Sequence, residues 1–527
     1  MPPTIQNPLL ITDRYLWLTV FITGLGTMAL EFIASRLLGN VFGTSNLVWA
    51  VVIGLVLVYL TLGNWLGGKW ADKHPDFAHF FSIIAIAGVF TAVVPLISRS
   101  LLSRSADAFD RLDLPILAGT FITVLVLFII PITLLGMVTP FALKLSIKDT
   151  EKTGSISGRL SAISTLGSFV GTFLTVLVLI PRVGTYRTFL FTSLVLLAVA
   201  LPGLYKYAKH TVFVVFLVLT VLVVIASVLG ASGLIKNTTG MVYETESAYN
   251  YIQVLEEGGY RFLRLNEGQG MHSIWHADQY FYGGPWSQPL VATFFNDPAL
   301  NPTDVKHIAV LGLAGGTTAR QASLVYPEAQ VDGWEIDPEI IRVGKEWFGM
   351  DLPNLTAIAE DARWGIRHSD TLYDIISIDA YQAPYIPPHL VTVEFFQEVA
   401  GHLSDKGAIA INIGRSPDDR SLLNAMTSTV GRVFPNVFVM DIPDSYNSIL
   451  FATKRYDSSW ANFEMNLASV QALQPSNLLD LTGRLTLEGK AKPITSTFVF
   501  TDDQAPIEAI TNRMVLNFLS KDAKEFE

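Results

Sequence analysis

Between residues 15 and 232 the chain offers water almost no foothold. Seven apolar runs, roughly 15–38, 46–68, 79–98, 115–139, 158–181, 186–206 and 211–232, reach the length of about 20 residues that a helix needs to cross a hydrocarbon core. In lipid each backbone N–H and C=O must be bonded within its own segment, so runs of this kind are helices. The expectation is a bundle of about seven spans over residues 1–232. The first run lacks a cleavable signal's short apolar region and small-residue exit, and is read as a retained helix. Gly63 with Gly67, and Gly167 with Gly171, recur at the four-residue spacing that lets helix backbones close together. Pro131 and Pro140 flank "ITLLGMVT" and should kink or end the fourth span. Glu31, in "MALEFIASRL", is the acid inside a span. An intramembrane carboxylate is costly; it marks either a functional group or an interhelical hydrogen bond helped by Arg36.

Charge returns beyond residue 232. Over all 527 residues the charged share is 16%, against about 25% in an ordinary soluble protein, and most of it lies in the last 300 or so. That length suffices for one or two cores. A net charge of −10 argues against nucleic acid as a partner, because phosphate binding needs a basic surface. The absence of cysteine excludes disulfides and thiolate metal sites. There is no metal-ligand spacing, no Ser-His-Asp order and no Walker loop, so no metal is expected.

The soluble part opens with "AYNYIQVLEEGGYRFLRLNEG", residues 248–268, two short extended runs about Glu-Glu-Gly-Gly that read as a β-hairpin. It belongs to a small β-domain over 242–289. From residue 307 the rhythm becomes strand, turn, helix, which implies a parallel, doubly wound sheet over 290–527. Ligands of such sheets bind at the carboxyl ends of the strands. Four features gather there in order. Gly312, Gly315 and Gly316 form a turn that lets backbone pass close to a ligand. Glu335 ends the next strand, about twenty residues on, where an acid binds both ribose hydroxyls. Asp361 ends a third strand beside the place of a base, and Asp379 a fourth, facing the reacting end. Together they describe a nucleoside site. The turn lacks the full G-x-G-x-x-G, which disfavours a dinucleotide.

This order, with the preceding hairpin, resembles the polyamine aminopropyltransferase (spermidine synthase) family over about residues 242–455. The whole chain resembles the membrane-fused spermidine synthase-like proteins, in which "LEFIASRLLG", "GNWLGGKWADK", "LGMVTPFALKL" and "TDDQAPIE" recur. The resemblance implies a Rossmann-like fold of the S-adenosylmethionine-dependent methyltransferase type. It also implies no permanently bound cofactor, a co-substrate that is decarboxylated S-adenosylmethionine (or the intact form), and a putrescine-like amine acceptor. A homodimer belongs to the same expectation. By resemblance Glu335 binds ribose, Asp361 and Ala362 flank adenine, and Asn250 and Gln269 line the donor. Asp379 receives the acceptor amine, Tyr282 assists it, and Gln382 lies on the acceptor side.

The departures concern ammonium recognition. Soluble synthases have an acid where Gly315 stands, a second acid where Gln382 stands, and Gln or His where Gly283 follows Tyr282. Asp502, Asp503 or Glu508 of "TDDQAPIE" could substitute, or simply open a helix. His389 reads as a packed loop histidine rather than an acceptor contact. Trp286, Trp334 and Trp364 read as core or rim packing. Two other functions stay open: an S-adenosylmethionine-dependent methyltransferase on the same site, and a transporter or scaffold with a degenerate nucleoside-binding domain. The chain is expected in the cell membrane as a multi-pass protein. Lys and Arg near the spans lean towards a cytoplasmic N-terminus, yet the expected donor is cytosolic, so the soluble part is expected to face the cytoplasm.

Overall fold

Apolar length writes the first half directly into helices: α1 (Asp13–Phe42), α2 (Asn46–Lys73), α3 (Phe77–Asp110), α4 (Leu114–Gly136), α5 (Val138–Ser146), α6 (Thr153–Leu174), α7 (Ile180–Tyr207) and α8 (His210–Leu229). The computed structural model describes residues 13–42, 46–110, 114–147, 152–229, 238–266, 270–381, 385–471, 478–514 and 517. Two compact units emerge. One comprises residues 1–238 with 244–251, the other 239–243 with 252–527.

Among the described residues, six continuous helical stretches are long and apolar enough to cross a membrane. One of them, Thr153–Tyr207, has 55 residues, which would reach roughly 80 Å if straight at 1.5 Å per residue. It is not straight. Gly184 leaves the helix with φ 79° and ψ 168°. Before it, α6 runs parallel to α1: a Cβ on Gly167 would fall 2.0 Å from Phe21 O, and one on Gly171 2.4 Å from Leu25 O. After it, α7 returns along α1, with Leu196 against Gly26 and Tyr15 Oη donating to Val199 O at 2.7 Å. The stretch is thus two helices joined at Gly184, corresponding to the expected runs 158–181 and 186–206. The second glycine pair works in the same way, since a Cβ on Gly63 would sit 2.2 Å from Thr133 O and one on Gly67 2.6 Å from Met137 Cα. Small residues here are a condition of backbone contact. The fourth pass breaks at Met137, between the two prolines. Pro131 is absorbed within α4 and Pro140 in the first turn of α5.

At the far end of α1, Glu246 accepts from Thr185 N (2.5 Å), Thr185 Oγ1 (2.7 Å) and Asn40 Nδ2 (2.8 Å). It thereby caps the chain where it re-enters helix after Gly184. Arg36 donates to Ser247 O at 2.8 Å and Tyr249 O at 3.0 Å. Its guanidinium is thus engaged by backbone carbonyls of the 244–251 segment.

The second half holds two sheets. The strands are β1 (Met241–Glu246), β2 (Tyr251–Glu257), β3 (Tyr260–Leu265), β4 (Ser273–Trp275), β5 (His307–Leu311), β6 (Gln330–Glu335), β7 (Leu355–Ala359), β8 (Tyr373–Ile378), β9 (Leu403–Gly414), β10 (Asn436–Asp441), β11 (Asn447–Thr453) and β12 (Lys490–Ala491). The first four form one sheet in chain order. β2 and β3 are the expected hairpin, turning on Gly258 and Gly259 at φ 59° and 85°, the double positive φ that a two-residue turn requires.

The large sheet has the order β12-β10-β11-β9-β8-β5-β6-β7. Its five strands β5 to β9 are parallel, with β5 and β8 at the centre. "HIAVL" and "YDIISI" are nearly continuous apolar runs because both faces are covered. The sheet is mixed rather than wholly parallel: β10 and β11 are joined by a short turn that allows only antiparallel pairing.

Candidate active site

The chain order of the parallel strands reverses about β5, so the switch point at which ligands of such sheets bind lies between the ends of β5 and β8. Asp379 N donates to Leu311 O at 2.9 Å, which holds the end of β8 against that of β5. Gly312, at φ 93°, lies over this junction; a Cβ there would meet Asp379 O at 2.4 Å. The sequence pattern leads one to expect these glycines to leave room for a ligand. The structure shows that they make room for the protein. Gly315 abuts Ser273 and Phe348, and Gly316, at φ 83°, abuts Met350.

The five amides of the turn are all committed. Gly312 N and Leu313 N donate to Trp334 O (3.0 and 2.9 Å), Ala314 N to Glu335 Oε2 (3.0 Å), Gly315 N to Ser273 Oγ (2.8 Å) and Gly316 N to Leu313 O (2.9 Å). A pyrophosphate needs such amides free. None of these five is free, and the turn leads into helix α9 (Thr317–Val325). β4 is fastened to the same place, since Thr317 Oγ1 donates to Ile274 O and accepts from Ile274 N, both at 2.9 Å.

Glu335 is buried at the end of β6, accepting from Ala314 N on one oxygen and Asp337 N (3.1 Å) on the other. Burial pushes its carboxyl up to about 7 against the pull of these amides. Asp337 caps the next helix, α10 (Pro338–Trp347), through Glu339 N. Asp361 caps α11 (Ala362–Arg367) through Trp364 N at 2.9 Å, and its second oxygen pairs with His389 Nε2 at 2.8 Å. The His389 bond, aided by the helix amides, holds this carboxyl below its usual range, against burial. Ala362 is the buried first residue of α11. His389 is therefore not a packed loop residue; its side chain is 47% exposed and faces Asp361.

Asp379 follows β8. Burial pushes its carboxyl up to about 6, opposed by a hydrogen bond from Asn412 Nδ2 at 2.9 Å. Tyr282 lines an apolar cavity of about 370 Å³ with Tyr260, Phe262, Ile274, Phe281 and Gly283. Its hydroxyl donates to Gln279 O (2.8 Å) and accepts from His276 N (3.2 Å). Asn250 belongs to the turn after β1, where its N donates to Ser247 Oγ and its O accepts from Ser247 N, both at 2.8 Å. Gln269 and Gln382 lie outside the described residues.

Asp502 does not stand in for the missing ammonium-binding acid. Arg363 grips it with two nitrogens at 2.7 and 2.9 Å and grips Glu398 likewise, while Thr392 Oγ1 donates to Asp502 at 2.6 Å. The "TDDQ" turn is thereby pinned to α11. Trp334 is buried against Gly365, Trp286 donates to His272 O, and Trp364 is exposed beside His368. Among the described residues no group of His, Asp and Glu could hold a metal. The sequence reading missed Asn412 and Ser273; one polar residue in the apolar strand "AIAINIG" was the available signal for the first.

Fold and strand-end acids define the class, a doubly wound α/β unit with carboxylates at the ends of its parallel strands. Sequence comparison narrows it. A probable polyamine aminopropyl transferase of Bifidobacterium longum (strain NCC 2705) is 30% identical over 301 residues, covering 54% of this chain and 65% of that protein. The polyamine aminopropyltransferase of Vibrio vulnificus (strain CMCP6) is 27% identical over 224 residues, covering 40% of this chain and 71% of its own length. The human eEF1A lysine and N-terminal methyltransferase is 28% identical over 182 residues, covering 32% of this chain and 25% of its own. No family model matches. The chain spans 65% of the length of the first of these relatives; its α/β unit is similar to polyamine aminopropyltransferases, and apolar helices precede that unit.

Proposed function

We propose that the protein is a membrane-anchored aminopropyltransferase. It moves an aminopropyl group from decarboxylated S-adenosylmethionine to an amine of the putrescine type. The observation that carries this reading is a half-buried carboxyl, Asp379, whose backbone N–H is bonded to the end of β5, under a glycine turn whose five amides all have protein partners. Such a site suits a nucleoside without phosphates.

In the reaction, the amine lone pair attacks the methylene carbon beside the sulfonium. A C–N bond forms, the C–S bond breaks with its electrons going to sulfur, and methylthioadenosine leaves. The proton lost by the amine goes to the Asp379 carboxylate, which first attracts the cationic acceptor. Glu335 accepts the ribose hydroxyls on its remaining lone pairs, and Asp361 and Ala362 lie beside the adenine. In-line placement of two bound substrates supplies much of the rate.

A methyltransferase reading on intact S-adenosylmethionine has one observation in its favour. Gly315, where soluble synthases have an acid, is backed by the neutral Ser273, which does not repel a donor carboxylate. The discriminating experiment gives purified protein each donor with a panel of amines and identifies the nucleoside left. Methylthioadenosine supports aminopropyl transfer, adenosylhomocysteine supports methyl transfer, and neither nucleoside rejects both. We place the catalytic unit on the cytoplasmic face, because a sulfonium donor does not cross a bilayer unaided. A reporter fused after Glu527 that is active only in the periplasm would overturn that placement.

A further inference from the structure

We propose that Asn412 is the positioning residue for Asp379, fixing the carboxyl that receives the acceptor's proton; this rests on the transferase reading above. β8 and β9 are parallel and in register at Ile378 and Ile411, so the next residues, Asp379 and Asn412, emerge side by side at the strand ends. Asn412 Nδ2 donates to Asp379 Oδ1 at 2.9 Å. The loop after Asp379 is tied to the same strand end, since Tyr381 Oη donates to Asn412 O (3.1 Å) and accepts from Gly414 N (2.7 Å). Three bonds thus fasten the carboxyl and its loop to β9.

The other end of the same amide separates this role from a structural one. Asn412 Oδ1 is buried and, among the described residues, has no hydrogen-bond partner. A buried carbonyl left unmatched costs stability. An apolar residue of the same size would spare that cost, so the asparagine serves the Asp379 bond at the fold's expense. Among the described residues, the polar side chains bearing on the Asp379 carboxyl are the Asn412 amide and the Tyr381 phenol, and burial together with Asp379 pushes that phenol up. No cation is among them. The Asn412 bond is then what favours the carboxylate over the neutral acid, opposing burial.

The test compares wild type with Asn412→Leu and Asn412→Asp in the full chain. In Asn412→Leu the melting temperature should stay within a few degrees of wild type. Turnover should fall about 10²-fold, the effect of a small misplacement of a reacting group, with donor affinity kept. The acid limb of the pH–rate profile should move up from about 6. Asn412→Asp should move it further, because two adjacent carboxyls cannot both ionise readily. Unchanged turnover and limb would overturn the proposal. So would a loss of activity that only tracks unfolding, with the limb unmoved. If the wild type releases neither nucleoside, the transferase reading fails. Infrared titration of Asp379, taken as wild type minus Asp379→Asn, then decides separately. An upward shift in Asn412→Leu supports positioning, and an unshifted band overturns it.

Discussion

Replacing Glu335 by Gln tests the donor site and can be worked through from the geometry. Both carboxylate oxygens accept a backbone N–H, from Ala314 and from Asp337. Glutamine can accept only one of these and turns its NH₂ against the other. It also offers a ribose hydroxyl pair a single acceptor, and an uncharged one. The expected loss is about 1–3 kcal/mol, or about 5–150-fold in dissociation constant. Protonation sharpens the test. The carboxyl is raised from 4.5 to about 7, so its contribution to folding is fully present below pH 4.5 and is lost as pH rises through 7. At pH 8 the charged form therefore burdens the fold by roughly 3 kcal/mol, at 1.36 kcal/mol per unit. A ligand that needs the carboxylate should bind wild type about tenfold more weakly for each unit below 7, while Glu335→Gln shows no such slope. The two curves should meet between about pH 6.4 for a fivefold difference and about pH 4.8 for a 150-fold one. Calorimetric titration with methylthioadenosine, which lacks the aminopropyl group, isolates this acid from Asp379. Equal affinity of the variant and wild type at pH 8, or a flat wild-type curve, would refute the reasoning.

Asp379→Asn should lower turnover by about 10²–10⁴-fold while nucleoside affinity stays near wild type, because the amide cannot take the proton; steady-state kinetics beside calorimetry check both. In the bundle, Gly167→Val should cost about 1–3 kcal/mol or more, since a Cβ there meets Phe21 O at 2.0 Å, whereas Gly54→Ala has nothing within 4 Å to meet; thermal melts in detergent compare them. Arg363→Ala strands Glu398 and Asp502 and should cost about 1–3 kcal/mol, less than a fully buried pair because Asp502 is 45% exposed. Hydrogen exchange should then rise in residues 498–511.

Much of this fold was legible because length and period carry it. Apolar runs of bilayer length are helices in any context, and the hairpin at Gly258-Gly259 follows from turn chemistry. The return of α7 at Gly184 was also readable, as a gap between two runs. The antiparallel edge of the large sheet departs from the expected parallel rhythm, although the short turn between β10 and β11 carries the signal for it. At the site, the order of Gly312, Glu335, Asp361 and Asp379 follows from the βα rhythm. What each group bonds to does not. The glycines serve packing against Asp379, Ser273 and Met350, contacts between distant segments that one local pattern cannot reveal. For the same reason Asp502 looked available in sequence and is held by Arg363 in space.

The central claim is that the ends of β5, β6 and β8 hold an S-adenosyl-type nucleoside with its sulfur end towards Asp379. An experimental structure of the full chain with methylthioadenosine measures this directly. The account predicts both ribose hydroxyls within about 3 Å of the Glu335 carboxylate, hydrogen-bond distance, with adenine beside Asp361 and Ala362 and the sulfur on the Asp379 side. A nucleoside bound elsewhere, or one whose ribose turns away from Glu335, would contradict it.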